Sequence, residues 1–530
     1  AQKVMQALAV YNRPVSPAAI DYLLQPHLPS IDSALVLNRL VNMHFARREA
    51  GRYYLHPADK EYAFSIIPEG EKRKEERIDS DELRFTQYAL LDRAADYFAQ
   101  IRKPRAEWKK LDDLAAQLAE FDLRCAAGDY DTAGYILADI DFDYLQVWGH
   151  YHLLISYNES LQGKLTNAFL KKHSLTELGL AYRDIGDSQK CIQCHNKVLE
   201  IAKEEKDRAY ESISLGNLGA AYQYLGDIHK AIKFYEQALV IAREIGEKKT
   251  AGNQLGNLGA AYNYLGETRK SIEFYEQALM TRREIDDHIG EGVDLSNLGE
   301  QYFKLGEYDK SNDFYRSALQ NARETGNKYG ESKRLNGLAS VYLEKGDLQN
   351  AIKHAQESIQ IGQEMSSPEV CIESSNTLAV TLLLSGILKD ALHVVQEAEK
   401  YDQPYYNFNI SSLHGIIALR QGERETAQEA FAKSIAQADE ILAKTPEYYS
   451  ALDAKGLALA GLLVIGNWRL DGERDQLHAE AIESFKQTRK IAPHAGVVKS
   501  VLRLFDELVK CDEEGMLKDV REVINTPLVE

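Results

Sequence analysis

The chain has 530 residues, 27% of them charged, and a formal net charge of −18 at pH 7. That length exceeds one compact core, and the acidic balance argues against a nucleic-acid backbone as main partner, which would need clustered Lys and Arg. No run of 18 apolar residues and no leader sequence occurs, and five cysteines fit a reducing compartment, so no membrane partner, no secretion and a cytoplasmic location are expected.

Residues 1–66 read as a unit of their own. Val4 to Tyr11, Ala18 to Leu24 and Ile31 to Met43 have the spacing of three short helices, and His44 to Leu55 holds two short alternating runs about Gly51, a β-hairpin. This order predicts a small winged-helix domain. Its would-be recognition helix, Asp32 to Val41, offers a DNA groove little beyond Asn38 and Arg39, so a DNA-binding regulator is a weaker reading and no nucleic acid is expected. Residues 67–107 are read as a charged linker, Glu69 to Glu82, and a connecting helix, Leu90 to Phe98. Over residues 108–170, helical stretches flank Gly128-Asp129 and predict degenerate first repeats.

From residue 171 the chain copies itself. Leu215-Gly-Asn-Leu-Gly-Ala-Ala-Tyr222-Gln-Tyr-Leu-Gly226 returns 40 residues later as Leu255-Gly-Asn-Leu-Gly-Ala-Ala-Tyr262-Asn-Tyr-Leu-Gly266, and the same glycine recurs at 186, 306, 346 and 386. Within a copy, Leu215, Leu218, Tyr222 and Leu225 share one helical face, and Ala231, Phe234, Tyr235, Ala238 and Leu239 share another, which predicts a helical hairpin turning at Gly226. Regular copies span 171–400. Divergent ones span 401–493, around Gly415, Gly422 and Ala427, then Gly456 to Gly466 and Ala481 to Phe485, split by a polar insertion from Arg469 to His478. Residues 494–530 are read as a helix, Val497 to Val509, capping the last repeat, and a tail.

The set Leu215, Leu218-Gly219, Tyr222, Ala231, Tyr235 and Ala238 resembles the tetratricopeptide repeat, in the 40-residue form of the kinesin light chain and Leu-Gly-Asn adaptor proteins. The fold expected is all-α, a right-handed tetratricopeptide superhelix preceded by the winged helix. The segment Tyr54-Leu55-His56-Pro57 resembles the end of the winged helix in signal-transduction ATPases of the NB-ARC type, although Pro57 replaces an aspartate of that motif. This resemblance implies that His56 senses the β-phosphate of a nucleotide held by a domain outside this chain. It also implies an ADP or ATP cofactor there, an intramolecular partner, and homo-oligomerisation on activation. Opening at Ala1 without a Met, the chain is read as the C-terminal portion of such a protein.

Asn217, Asn257 and Asn297 recur at one place in three first helices, where similar arrays face their concave groove and an amide can both donate to and accept from an extended peptide backbone. Gln223, Tyr224, Asn263, Tyr264, Glu300, Phe303 and Lys304 are the neighbouring groove candidates. The ladder breaks on both sides, at Glu177 and at Gly337, where Asn336 stands one place early. Cys191-x-x-Cys194-His195 has the spacing of a redox or zinc motif, but Cys191 and His195 fall on the small and aromatic positions of a second helix and are read as packing. No Gly-x-x-x-x-Gly-Lys-Ser/Thr loop occurs, so no catalytic residue, metal or cofactor is expected in this chain. The expected function is a sensor that binds a protein or peptide trigger for a nucleotide-switched ATPase in bacterial immune or stress signalling. The alternative is a constitutive scaffold with no nucleotide switch.

Overall fold

A computed structural model describes residues 1–11, 13–70, 85–466 and 472–525, which fall into two units, 1–221 and 222–530. The first unit opens with α1 (Gln2–Val10), α2 (Pro17–Leu24) and α3 (Ser33–Asn42), where Asp32 caps α3 by accepting from the Ala34 amide. Strands β1 (Arg47–Glu49) and β2 (Arg52–Tyr54) pair antiparallel around Ala50 and Gly51, and Val15 bridges to Tyr53 beside them. Helix α4 (Pro57–Ser65) follows. Three helices and a hairpin are the element order expected of a winged helix.

Most of the expected linker, residues 71–82, lies outside the described residues. The connecting helix, α5 (Gln87–Gln100), shares the N-terminal core, with Leu90, Leu91 and Phe98 buried among Leu8, Ile20, Leu23 and Leu37. It is also tied to α6 (Ala115–Ala127), whose Arg124 reaches Asp92 and, at 2.5 Å, Asp96. Gly128, left-handed at φ 79°, ends α6, and Asp129 caps α7 (Tyr130–Ala138). A π-helical turn at Asp141–Gln146 and α8 (Tyr151–Leu161) complete this region.

Hairpins of near-constant length follow: α9 (Ala168–Asp184) with α10 (Ser188–Glu205), α11 (Arg208–Tyr224) with α12 (Ile228–Glu244), and α13 (Lys248–Tyr264) with α14 (Thr268–Glu284). Next come α15 (His288–Leu305) with α16 (Tyr308–Glu324), α17 (Lys328–Glu344) with α18 (Leu348–Glu364), and α19 (Pro368–Leu384) with α20 (Leu388–Ala398). The last two are α21 (Pro404–Arg420) with α22 (Arg424–Lys444), and α23 (Tyr449–Ile465) with α24 (Glu473–Ile491). Helices α25 (Ala495–Val509) and α26 (Lys518–Asn525) close the described chain. The expected polar insertion is shorter than the sequence suggests, because Glu473 to His478 form the first turns of α24. Residues 467–471 lie outside the described residues, as does the end of the tail.

A recurring side-chain unit explains the regularity of the second unit. Tyr222 stacks on Phe234, Tyr262 on Phe274 and Tyr302 on Phe314, each with ring centroids 5.3 Å apart, and Lys230, Lys270 and Lys310 lie over the tyrosine rings. Such pairs add about 0.5–1.5 kcal/mol beyond the area they bury. Close approach within a hairpin needs a glycine in the first helix: a Cβ on Gly259 would lie 2.7 Å from the Tyr275 ring. The Ser271 and Ser311 hydroxyls donate to the carbonyls of Gly259 and Gly299, pinning second helix to first.

Candidate functional site

In the second unit the first helices α15, α17, α19, α21 and α23 pack successively side by side, whereas the second helices between them meet mainly their own and the next first helix. The more closely packed set forms the inner wall of a curved array. Asn297 belongs to α15 of this set and Asn257 to α13 before it; both are half-buried, and among the described residues neither side-chain amide has a hydrogen-bond partner. Asn217, at the same position of α11 in the first unit, is likewise half-buried with its amide unsatisfied by the described residues. The ladder stops at Gly337 for a steric reason: a Cβ there would lie 2.6 Å from the Tyr315 ring.

The other groove candidates divide into open and occupied. Tyr224 is 70% exposed and Tyr264 64%. Lys304 Nζ lies 2.7 Å from Glu300 Oε1 and donates to Asn263 Oδ1 at 2.9 Å, so these three form one network between neighbouring repeats. Lys304 holds the Glu300 carboxyl below its usual range, and although burial opposes the Lys304 charge, Glu300 overcomes it and raises the lysine. Gln223 already accepts from the Tyr235 hydroxyl at 3.1 Å. Phe303 packs edge-on against Tyr308, 5.6 Å between centroids, and its backbone is covered by α25, so it is taken up in packing.

Residues 248–407 match the model of a MalT-like tetratricopeptide region, and residues 173–244 match a tetratricopeptide-repeat model. These stretches are a tetratricopeptide region. Comparison with curated proteins returns no match. Among solved structures, a signal-transduction ATPase with a tetratricopeptide sensor from Pyrococcus horikoshii is 14% identical with a TM-score of 0.45, over 99% of this chain and 65% of that one. The quorum sensor NprR from B. thuringiensis is 18% identical with a TM-score of 0.43, over 62% and 99%. BtubC from P. vanneervenii is 21% identical with a TM-score of 0.37, over 41% and 90%.

The tetratricopeptide wall also carries residues the repeat pattern does not reveal. Lys333 reaches Glu373 and, at 3.2 Å, Glu369. Tyr405 meets Tyr448 edge-on at 5.9 Å. Although the Tyr264 side chain as a whole is exposed, partial loss of water around its hydroxyl, with Tyr224 and Tyr405 nearby, pushes that hydroxyl up, so tyrosines from α11, α13 and α21 gather in one region. The signal available in sequence was only the tyrosine abundance, because these residues come from copies whose registers have diverged.

The remaining sequence candidates lie apart. Cys191 and Cys194 are buried free thiols, pushed up to about 12 and about 11 by burial, which leaves little thiolate. His195 is fully buried in the aromatic position, its ring 2.7 Å from where a Gly179 Cβ would stand, and burial pushes it down to about 4. Among the described residues no group of three or more His, Cys, Asp or Glu is placed to hold a metal. His56 is exposed and caps α4, its Nδ1 accepting from the Ala58 amide at 3.4 Å. Asn38, one of the two candidate DNA contacts, accepts from the Tyr53 hydroxyl at 2.8 Å. No helix among the described residues is long and apolar enough to cross a membrane.

Proposed function

We propose that the chain is the sensor part of a nucleotide-switched signalling ATPase, binding a protein or peptide trigger on the inner wall of its tetratricopeptide region. The observation that carries this reading is the pair Asn257 and Asn297: half-buried amides at one position of successive first helices, without a partner among the described residues, in helices whose neighbours end in exposed Tyr224 and Tyr264. These amides are open to solvent and free to exchange water for a ligand, and an extended backbone supplies both the donor and the acceptor they can pair with. The tyrosines add apolar contact with a polar tip. On the same reading, the N-terminal module docks on a nucleotide-binding domain outside this chain, with His56 toward the nucleotide. Leu35, Met43, Phe45 and Tyr62, all exposed, provide apolar surface for that contact. A role in immune or stress signalling and oligomerisation on activation extend the same proposal.

The test is capture from host and phage-infected lysates by the intact chain and by the Asn217→Ala, Asn257→Ala, Asn297→Ala variant, with mass spectrometry and then titration of what is retained. At about 1 kcal/mol per amide, the triple change should weaken a groove ligand on the order of 100-fold. Equal retention of the same partners by both forms would place binding elsewhere and favour the scaffold.

A further inference from the structure

An end cap covers the last repeat only, but α25 does more. Its apolar side, Val501, Phe505 and Leu508, is buried in the C-terminal core, with Phe505 6.0 Å edge-on from Phe485 of α24. Its other side reaches back to the turns of three much earlier hairpins. His494, just before α25, has Nε2 3.0 Å from the Gly266 carbonyl oxygen and 2.8 Å from Thr268 Oγ1. Gly496 sits so tightly on the end of α15 that a Cβ would collide with the Phe303 carbonyl oxygen. One turn on, the helix meets Glu344, the last residue of α17, whose side chain is only 2% exposed. Arg503 pairs with it, Ser500 Oγ donates to Oε1 at 3.0 Å, Lys499 Nζ lies 3.4 Å from Oε2 and donates to the Glu344 carbonyl at 3.1 Å, and the Tyr308 hydroxyl donates to Oε2 at 3.3 Å.

The two attachments differ in kind. At α21, α23 and α24 the helix is held by extensive buried apolar surface, to which Arg420 adds one pair with Glu507 at 3.3 Å; at the hairpins beginning at 248, 288 and 328 it is held mainly by hydrogen bonds and ion pairs. Apolar burial is lost in full when a helix lifts away. A carboxylate and its cations regain water, so an ion cluster contributes far less net. The polar end is therefore the end that opens. Because α25 touches α15 as well as α21 and α23, it closes the arc of first helices into a ring around the inner wall.

We propose that α25 is a releasable clasp: it holds the inner wall closed through Glu344 and the turns at Gly266 and Gly306, and a partner occupying that wall must first free its polar end. The role assigned to the partner rests on the reading in Proposed function, whereas the clasp itself is measurable without any ligand.

The test compares the intact chain with Arg503→Glu, which sets two carboxylates against each other. Backbone hydrogen exchange over 495–503 should rise about tenfold while 505–509 stays protected, as expected for local opening of a polar attachment. The double change Glu344→Arg, Arg503→Glu should restore protection. In a Cys125→Ser, Cys511→Ser background, Thr268→Cys, at a position only 3% exposed beneath His494, should react several-fold faster with a bulky polyethylene glycol maleimide once Arg503→Glu is added. Unchanged exchange would make α25 a permanent cap and overturn the proposal, as would increased exchange with unchanged labelling. If Arg503→Glu lowers the melting of the whole chain, Lys499→Ala, Ser500→Ala replaces it with the same readouts. Failure of the Asn variant to alter partner binding leaves these readouts untouched, so the two ideas fail separately.

Discussion

The regular copies and the divergent ones solve one packing problem in different ways. Around α11 to α16 the core is split into small clusters, each shared by neighbouring helices and edged by the same lysine, tyrosine and phenylalanine stack. From Ala339 to Ile524 most buried apolar residues instead join one large cluster, with a small satellite around Phe408 and Ile441. The first unit keeps apolar clusters of its own and sets a buried acid beside them: Glu177, standing where later copies have Asn, is buried with Oε2 unpartnered among the described residues, near the Asp141–His173 pair. Repetition thus preserves a modular, readable wall, while the C-terminal copies have pooled their apolar residues.

Breaking the apolar block should give the largest effect. Phe431 is fully buried between Gly415 and Gly461, each of which would collide with its ring if it carried a Cβ. Phe431→Ala should cost about 3–5 kcal/mol, read by chemical denaturation, because those flat neighbours cannot collapse into the space. If the core is continuous, hydrogen exchange should rise together from α19 through α26. A rise confined to α21 and α22 would mean the C-terminal copies are as modular as the regular ones.

The modular part is what the sequence makes legible. A glycine every 40 residues and a leucine, tyrosine and alanine pattern at helical spacing specify each hairpin, because the interactions that shape a repeat lie within it or in the next copy. The Asn positions follow from the same register. What stays illegible has no period. His494 meets Gly266 across 228 positions, and Glu344 is an unremarkable helix-ending residue until Lys499, Ser500 and Arg503 fold back on it. The occupation of Phe303 by α25 is hidden for the same reason, as is the helical start of α24 at Glu473, where charged composition suggested an insertion. Sharing of the N-terminal core by α5 is equally non-local.

The buried acid of the first unit should reveal itself through pH. Burial, reinforced by Asp141, pushes the Glu177 carboxyl up to about 7. Since the folded state then binds a proton that the unfolded chain releases near its usual value, this group makes stability fall as pH rises from about 4.5 to about 7, with the full penalty present above that window. Glu177→Gln keeps the shape and removes the ionisation. It should leave melting at pH 5 nearly unchanged and raise stability at pH 8 by about 1–3 kcal/mol. An equal change at both pH values would show that Glu177 stays ionised in the fold.

The smallest expected effect lies within the regular copies themselves, at the turn from each second helix to the next first helix. Residues 206, 246, 286, 326 and 366 all adopt positive φ, but only Gly246 and Gly326 are glycine; Lys206, Asp286 and Ser366 hold φ 58°, 54° and 53°. A side chain in this left-handed region costs about 1–2 kcal/mol, less for aspartate, and the gain on replacing it is reduced by the greater freedom of glycine in the unfolded chain. Ser366→Gly and Lys206→Gly should each stabilise by about 0.5–1 kcal/mol, and Asp286→Gly by less, measured as shifts in denaturation midpoint. Because a modular array transmits little beyond its nearest neighbours, Ser366→Gly should protect α18 and α19 against exchange without altering α13 or α14. Protection spreading that far would show that the regular copies, too, are coupled around the ring that α25 closes.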